Sequence, residues 1–175
     1  KAHPTIIANS VRFNMEADSL NCCILGTDAT PDTEEFKLFI KEVVREVTVK
    51  AGQKCTAIRR VIVPENLVEA VSKAIADRFK TTVTGNPQTE GVRMGPLATK
   101  EQVIDVQAKV KSLMNACEVV YGNYDSLELM GADKTKGAFF PAMLLYCNDP
   151  FGKTEPHEIE AFGPVATILP YKTLD

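Results

Sequence analysis

The chain has 175 residues, 45% of them hydrophobic and 25% charged, with a formal net charge of -3. That composition allows one domain with a sizeable apolar core and excludes a disordered chain. The charge leaves no basic footprint for nucleic acid, and no apolar run approaches the roughly 18–20 residues of a membrane-spanning helix.

The first residues, Lys1-Ala2-His3-Pro4, lack the basic-then-apolar layout of a secretory leader and an initiator Met, so the chain reads as a fragment of a longer one. Thr5-Ile6-Ile7-Ala8 and Leu20-Asn21-Cys22-Cys23-Ile24-Leu25 are short apolar runs expected to form buried strands. A turn around residues 26–32 leads into a helix expected over about 33–50. Its apolar stripe is Phe36, Phe39, Ile40, Val43, Val44 and Val47, and Gly52 follows as a stop signal. Residues 57–63 read as a strand ended by Pro64, followed by amphipathic helices over about 65–80 and 100–115. Thr84-Gly85-Asn86-Pro87 and Gly95-Pro96 mark loops between them. Further strands are expected at 117–121, 142–146 and 165–169, after which no closing helix follows. Strands alternating with long helices point to an α/β fold of three αβα layers around a largely parallel sheet, one domain over residues 1–175.

Five cysteines, Cys22, Cys23, Cys55, Cys117 and Cys147, form an odd set without a repeated C-x-x-C spacing. They predict a reduced, cytoplasmic protein, not a disulfide framework, with most of the thiols buried. The adjacent Cys22 and Cys23 are expected to face core on both sides of their strand. Cys55 differs in setting. It follows Gly52, which lets the backbone leave a helix sharply, and it precedes an apolar β-branched run without lying inside it. Lys54, Arg59 and Arg60 are near enough in sequence to favour a thiolate. On these residues alone Cys55 fits either a small buried hydrophobe or an exposed nucleophile. Glu16 likewise fits a surface carboxylate at a strand end as well as a general base. Glu160 fits a helix-end charge in the acidic stretch of Glu155, Glu158 and Glu160. The only histidines, His3 and His157, show no metal-ligand spacing, so no metal site is expected.

Four motifs in order give these residues a context: Gly52-Gln53-Lys54-Cys55, the loops Gly85-Asn86-Pro87 and Gly95-Pro96-Leu97, and Glu160-Ala161-Phe162-Gly163-Pro164-Val165, with Glu16-Ala17-Asp18-Ser19 upstream of them. Together they resemble the aldehyde dehydrogenases, whose patterns read G-Q-x-C, G-[ND]-P, G-P-[LV] and E-x-F-G-P-V. The upstream motif departs from that family's common E-L-G-G-K, lacking both glycines and the lysine. The resemblance implies that Cys55 is the catalytic nucleophile, forming a thiohemiacetal and then a thioester, and that Glu16 is the general base for the hydrolytic water. Glu16 would be tuned by burial between Phe13 and Met15. It implies that Glu160 clamps the nicotinamide ribose of NADP (or NAD), that Phe162 packs near the ring, and that the Cys55 N–H serves an oxyanion. Within the family, the runs around Glu16 and Cys55 are similar to a branch fused to an enoyl-CoA hydratase in phenylacetate degradation. That branch implies a CoA-linked semialdehyde derived from oxepin-CoA, and a dehydrogenase of benzoyl-CoA degradation acting on 3,4-dehydroadipyl-CoA semialdehyde is the alternative. The partners so implied are a cofactor domain, a hydratase domain and a homo-oligomer, and the fragment without its cofactor domain is expected to be inactive. Two other classes remain: a thiol hydrolase or acyltransferase, which needs His3 or His157 beside Cys55, and a non-catalytic scaffold module.

Overall fold

The computed structural model describes residues 3–12, 14 and 18–173. Glu16 lies outside the described residues, as do Phe13 and Met15. The described elements are α1 (Pro4–Ala8), β1 (Asn21–Ile24), α2 (Glu34–Thr48), β2 (Ile58–Pro64), α3 (Val68–Lys80), α4 (Lys100–Leu113), β3 (Glu118–Tyr121), β4 (Met143–Tyr146), α5 (Glu155–Glu158) and β5 (Val165–Tyr171).

One sheet runs in the order β1-β2-β5-β4-β3, parallel throughout except for the antiparallel edge pair of β3 with β4. The chain steps from β1 to β2 in one direction across the sheet and from β4 to β5 in the other. Right-handed crossovers therefore place α2 and α5 on opposite faces. Helices α2 and α3 pack side by side, while α4 packs with α5, which yields the layered α/β arrangement expected from the alternation. The helix α2 starts where Thr33 Oγ1 accepts from the Phe36 N–H at 3.3 Å, a cap of about 1 kcal/mol. It buries Phe36, Phe39, Ile40, Val43 and Val47, most of the expected stripe, with Val44 half-buried. The core continues through Val61, Val63, Val71, Ile75, Val106, Leu144, Leu145 and Ile168. At the far end of the sheet the buried Tyr171 hydroxyl donates to the Leu25 carbonyl at 2.6 Å, tying β5 to the residue after β1.

Two expectations fail. Residues 5–8 are helical, not a strand: Pro4 takes the first helical position, and the His3 ring nitrogen accepts from the Thr5 N–H at 3.3 Å. None of the residues of α1 is buried, and Ile7 is exposed. Cys22 and Cys23 do lie on a strand, but that strand is the sheet edge. Cys22 is exposed and Cys23 half-buried, so the pair does not face core on both sides. A continuous apolar run does not distinguish an edge strand from a central one, because the difference is made by neighbours remote in sequence.

Cys117 and Cys147 are the two buried thiols of the five, so the expectation that most of them are buried fails as well. They flank the register pair Glu118–Tyr146, so they face each other across the antiparallel edge. Burial, reinforced by Cys147, pushes the Cys117 thiol up to about 12. The folded chain therefore keeps a proton that the unfolded chain gives up above about pH 9. Its contribution to stability is complete below that pH and is lost as the pH rises towards 12. Urea titrations between neutral pH and pH 10 are expected to show a falling midpoint, and Cys117→Ala is expected to flatten that fall. An equal slope in the variant would rule out this thiol as its source.

Candidate active site

Ser19, Cys55 and Glu160 lie in the segments that lead into β1, β2 and β5, which are neighbours in the sheet. Their convergence follows from that strand order. The site sits at the amino ends of three parallel strands, the end opposite to that at which open parallel sheets commonly hold ligands.

The turn that carries Cys55 is strained. Lys50, Ala51 and Gly52 adopt φ values of 53°, 51° and 68°, three left-handed residues in succession after α2. For Lys50 and Ala51 this costs roughly 1–2 kcal/mol each, a kind of strain that concentrates at functional sites. Gly52 has a second constraint. A Cβ there would run into the Gly163 carbonyl oxygen, and would stand 2.7 Å from the Gly163 carbonyl carbon and 3.0 Å from the Val47 oxygen. The glycines of two separate motifs thus touch backbone to backbone. Gly163 is itself packed on α4, where an added Cβ would come within 2.9 Å of Val106 Cγ2.

Cys55 is exposed at this turn. Its carbonyl accepts from Ser19 Oγ at 2.6 Å and from Asn21 Nδ2 at 2.5 Å. Among the described residues no acceptor is paired with the Cys55 N–H, which leaves it available to a developing oxyanion. Gln53 ties the turn to a loop that follows α3: its Nε2 donates to the Lys50 carbonyl at 3.0 Å, and its Oε1 accepts from the Ala98 N–H at 2.8 Å. Within the same stretch the Gly85 N–H donates to the Met94 carbonyl at 3.0 Å, which joins its two ends. From α4, Gln102 Nε2 donates to the Phe162 carbonyl at 3.1 Å. The Cys55 turn and its neighbours therefore hold together segments that are far apart in the chain.

The cations named from sequence have other partners. Lys54 Nζ pairs with Glu46 Oε2 of α2 at 2.6 Å, and Arg60 donates to the Leu20 carbonyl. Arg59 is buried and turns to Glu160, with its Nε 3.3 Å from Glu160 Oε1. Burial lowers the Arg59 pKa from its ordinary value, and the Glu160 carboxylate opposes that shift. Glu160 Oε2 accepts from the Ser19 N–H at 2.9 Å, and Phe162 lies beside the pair, 5.5 Å from ring centroid to the Arg59 guanidinium carbon. Glu160 is thus no helix-end surface charge but a buried carboxylate bound on both oxygens. His157 makes its contacts away from Cys55, with Nε2 2.8 Å from the Pro150 carbonyl and Nδ1 3.5 Å from Arg60. His3 caps α1. Neither histidine is paired with the thiol, and a Cys–His dyad has no support in this geometry.

Sequence reasoning missed the parts played by Ser19, Asn21, Arg59 and Gln102. Arg59 carried a readable signal, a charged residue opening a strand that is otherwise apolar on its covered face. Such a residue is seldom buried unless paired. Ser19 gave none, because its partners lie 36 and 141 residues away.

The model of the aldehyde dehydrogenase family matches residues 5–175. A 3,4-dehydroadipyl-CoA semialdehyde dehydrogenase from Aromatoleum evansii is 46% identical over 171 residues, which is 98% of this chain and 33% of that protein. An aldehyde dehydrogenase C mutant from Pseudomonas syringae, crystallised with NAD+ and octanal, superposes with a TM-score of 0.72 at 25% identity, covering 89% of this chain and 30% of that one. HpcC from Thermus thermophilus shares the fold at a TM-score of 0.76 and 21% identity, covering 89% of this chain and 29% of its own. The chain spans about a third of the length of these relatives. Among the described residues no helix is long and apolar enough to cross a membrane.

Proposed function

This chain belongs to the aldehyde dehydrogenase family, and we propose that it is the thiol-bearing part of an NAD(P)-dependent enzyme that oxidises a CoA-linked semialdehyde to the carboxylic acid. The observation that carries the reading is the exposed Cys55, whose carbonyl is held by Ser19 and Asn21 on a strained left-handed turn. A nucleophile gains from such a mount, since fixing the backbone fixes the direction of attack.

In this reading the Cys55 thiolate adds to the aldehyde carbon, and the carbonyl oxygen, becoming an alkoxide, is received by the Cys55 N–H. The donor set fits a nicotinamide cofactor: an ionised carboxylate offers about four acceptor positions, and Arg59 and Ser19 take one each at Glu160. Glu160 would hold the ribose hydroxyls by turning out from the Ser19 amide, and the half-buried Phe162 would limit the nicotinamide ring. The cofactor, when bound, supplies the hydride acceptor that takes the thiohemiacetal carbon to the oxidation level of a thioester. Glu16 would then remove a proton from the water that attacks this thioester, releasing the acid and restoring the thiol. NADP is the preferred acceptor in this proposal and NAD the alternative. The Pseudomonas syringae relative, crystallised with NAD+, supports a nicotinamide dinucleotide of either kind.

Two CoA-linked substrates compete, the open-chain semialdehyde from oxepin-CoA in phenylacetate catabolism and 3,4-dehydroadipyl-CoA semialdehyde in benzoyl-CoA degradation. The name of the Aromatoleum evansii relative, at 46% identity, favours the second. A cofactor domain, a hydratase domain and a cytoplasmic homo-oligomer complete the proposal for the parent protein.

The test uses the full-length protein with each semialdehyde as its CoA thioester, and as the free acid for comparison, with NAD+ and with NADP+. Rapid quenching and peptide mapping are expected to find the acyl group on Cys55 and a clear preference for the CoA-linked form. An acyl group trapped on another residue, or equal turnover of the free acid, would remove the proposal in its present form.

A further inference from the structure

One side chain joins the two motifs that carry the proposed nucleophile and the proposed cofactor clamp, and neither motif contains it. Arg59 Nη2 donates to the Gly52 carbonyl at 2.7 Å, Nη1 to the Gly163 carbonyl at 2.6 Å, and Nε to Glu160 Oε1 at 3.3 Å. All three guanidinium nitrogens are therefore in use, and the side chain is 4% exposed. Of its acceptors, one lies in the left-handed turn before Cys55 and two lie in the Glu160–Gly163 segment. The ring of Phe162, from the same segment, lies alongside its guanidinium carbon.

We propose that Arg59 is a positioning residue that sets the Glu160 carboxylate, and with it the cofactor ribose, in fixed relation to the Cys55 turn. The inference rests on the functional reading above and deepens it. The physical basis is the fork shape of the guanidinium. Its donors are rigid and coplanar, so satisfying two backbone carbonyls fixes the direction in which Nε meets the carboxylate. An ammonium carries the same charge on a flexible stem and cannot serve three acceptors at set angles. Without Arg59 the carboxylate keeps only the Ser19 amide, and the Gly52 and Gly163 carbonyls lose a charged donor in a buried place. Hydride transfer is sensitive to such loosening, because a displacement of about 1 Å between reacting groups can cost on the order of a hundredfold in rate.

The experiment compares the full-length enzyme with Arg59→Lys, Glu160→Gln and their combination, together with the neutral pair Arg59→Gln/Glu160→Gln. Arg59→Lys keeps the buried charge and the neutral pair leaves none unpaired, so folding is protected by two different routes. Steady-state kinetics varying the nicotinamide cofactor separate KM from kcat, and iodoacetamide labelling of Cys55 without cofactor reports on the turn alone. Arg59→Lys is expected to lower kcat/KM for the cofactor by about tenfold to a hundredfold per folded molecule, beyond any loss of folded fraction read from the thermal melt. Either combined variant is expected to lose less than about twofold beyond Glu160→Gln alone, since both residues act through one carboxylate. Losses that multiply, or a fall in activity that only tracks the fraction folded with cofactor KM unchanged, would overturn the inference and leave the functional reading intact. A wild-type protein that oxidises no aldehyde with either cofactor would overturn both.

Discussion

Cys55→Ser in the full-length protein is expected to lower kcat/KM for aldehyde oxidation by about a thousandfold or more, with the melting temperature essentially unchanged. The two halves of this result have separate causes. Serine has nearly the same shape, and Cys55 is exposed at its turn, so no core packing is lost and the stability change should stay within about 0.5 kcal/mol. The carbonyl bonds from Ser19 and Asn21 are made to the backbone, and they survive the substitution. The chemistry does not survive it: a hydroxyl is a far weaker nucleophile than a thiol near neutral pH, and no histidine is paired with residue 55 to activate it. Initial rates of cofactor reduction, measured beside a thermal melt, decide the matter. Residual activity within about tenfold of wild type would place the nucleophile elsewhere.

Gly52→Ala should act in the opposite way, through the fold before the chemistry. The new methyl would meet a left-handed backbone, at roughly 1–2 kcal/mol, and would also run into the Gly163 carbonyl, which is backbone and has no rotamer to escape through. Together these should cost on the order of 3–5 kcal/mol, enough to lower melting by roughly 10 °C or to prevent accumulation of folded protein. Gly91→Ala is the control. Gly91 is also left-handed, with φ 88°, but a Cβ there would meet nothing nearer than Met130 Sδ at 3.9 Å. Its loss should be only the conformational cost, about 1 kcal/mol. Equal losses at the two positions would show that the contact between Gly52 and Gly163 carries no weight.

The local elements were legible because their signals are local. The stripe from Phe36 to Val47 and the stop at Gly52 define α2, and β-branched runs before Pro64 and after Pro164 define β2 and β5. Thr5–Ala8 misled because so short a run satisfies either a strand or a helical turn, and Pro4 with the His3 cap settles which. Cys22 and Cys23 misled in a different way, since their strand was identified correctly but its place at the edge was not. At the site, Cys55, Glu160 and Phe162 were named from motifs, and the structure joins their segments through Ser19 and Arg59. Glu16 stays a proposal, because it lies outside the described residues.

By itself, the sequence determined the alternation of strands and helices and the order of four motifs, and through their family resemblance it nominated one thiol among five. The elements follow from periodicity and turn residues read within short windows, and the nominated thiol follows from what the resemblance implies. Only the tertiary structure decided that β1, β2 and β5 are neighbours, that Gly52 touches Gly163, and that Arg59 faces Glu160 across 101 residues of chain. The physical reason is that strand order and the pairing of a buried charge are set by the packing of the whole sheet. No local propensity encodes which distant carbonyl or carboxylate will stand within reach of a given side chain.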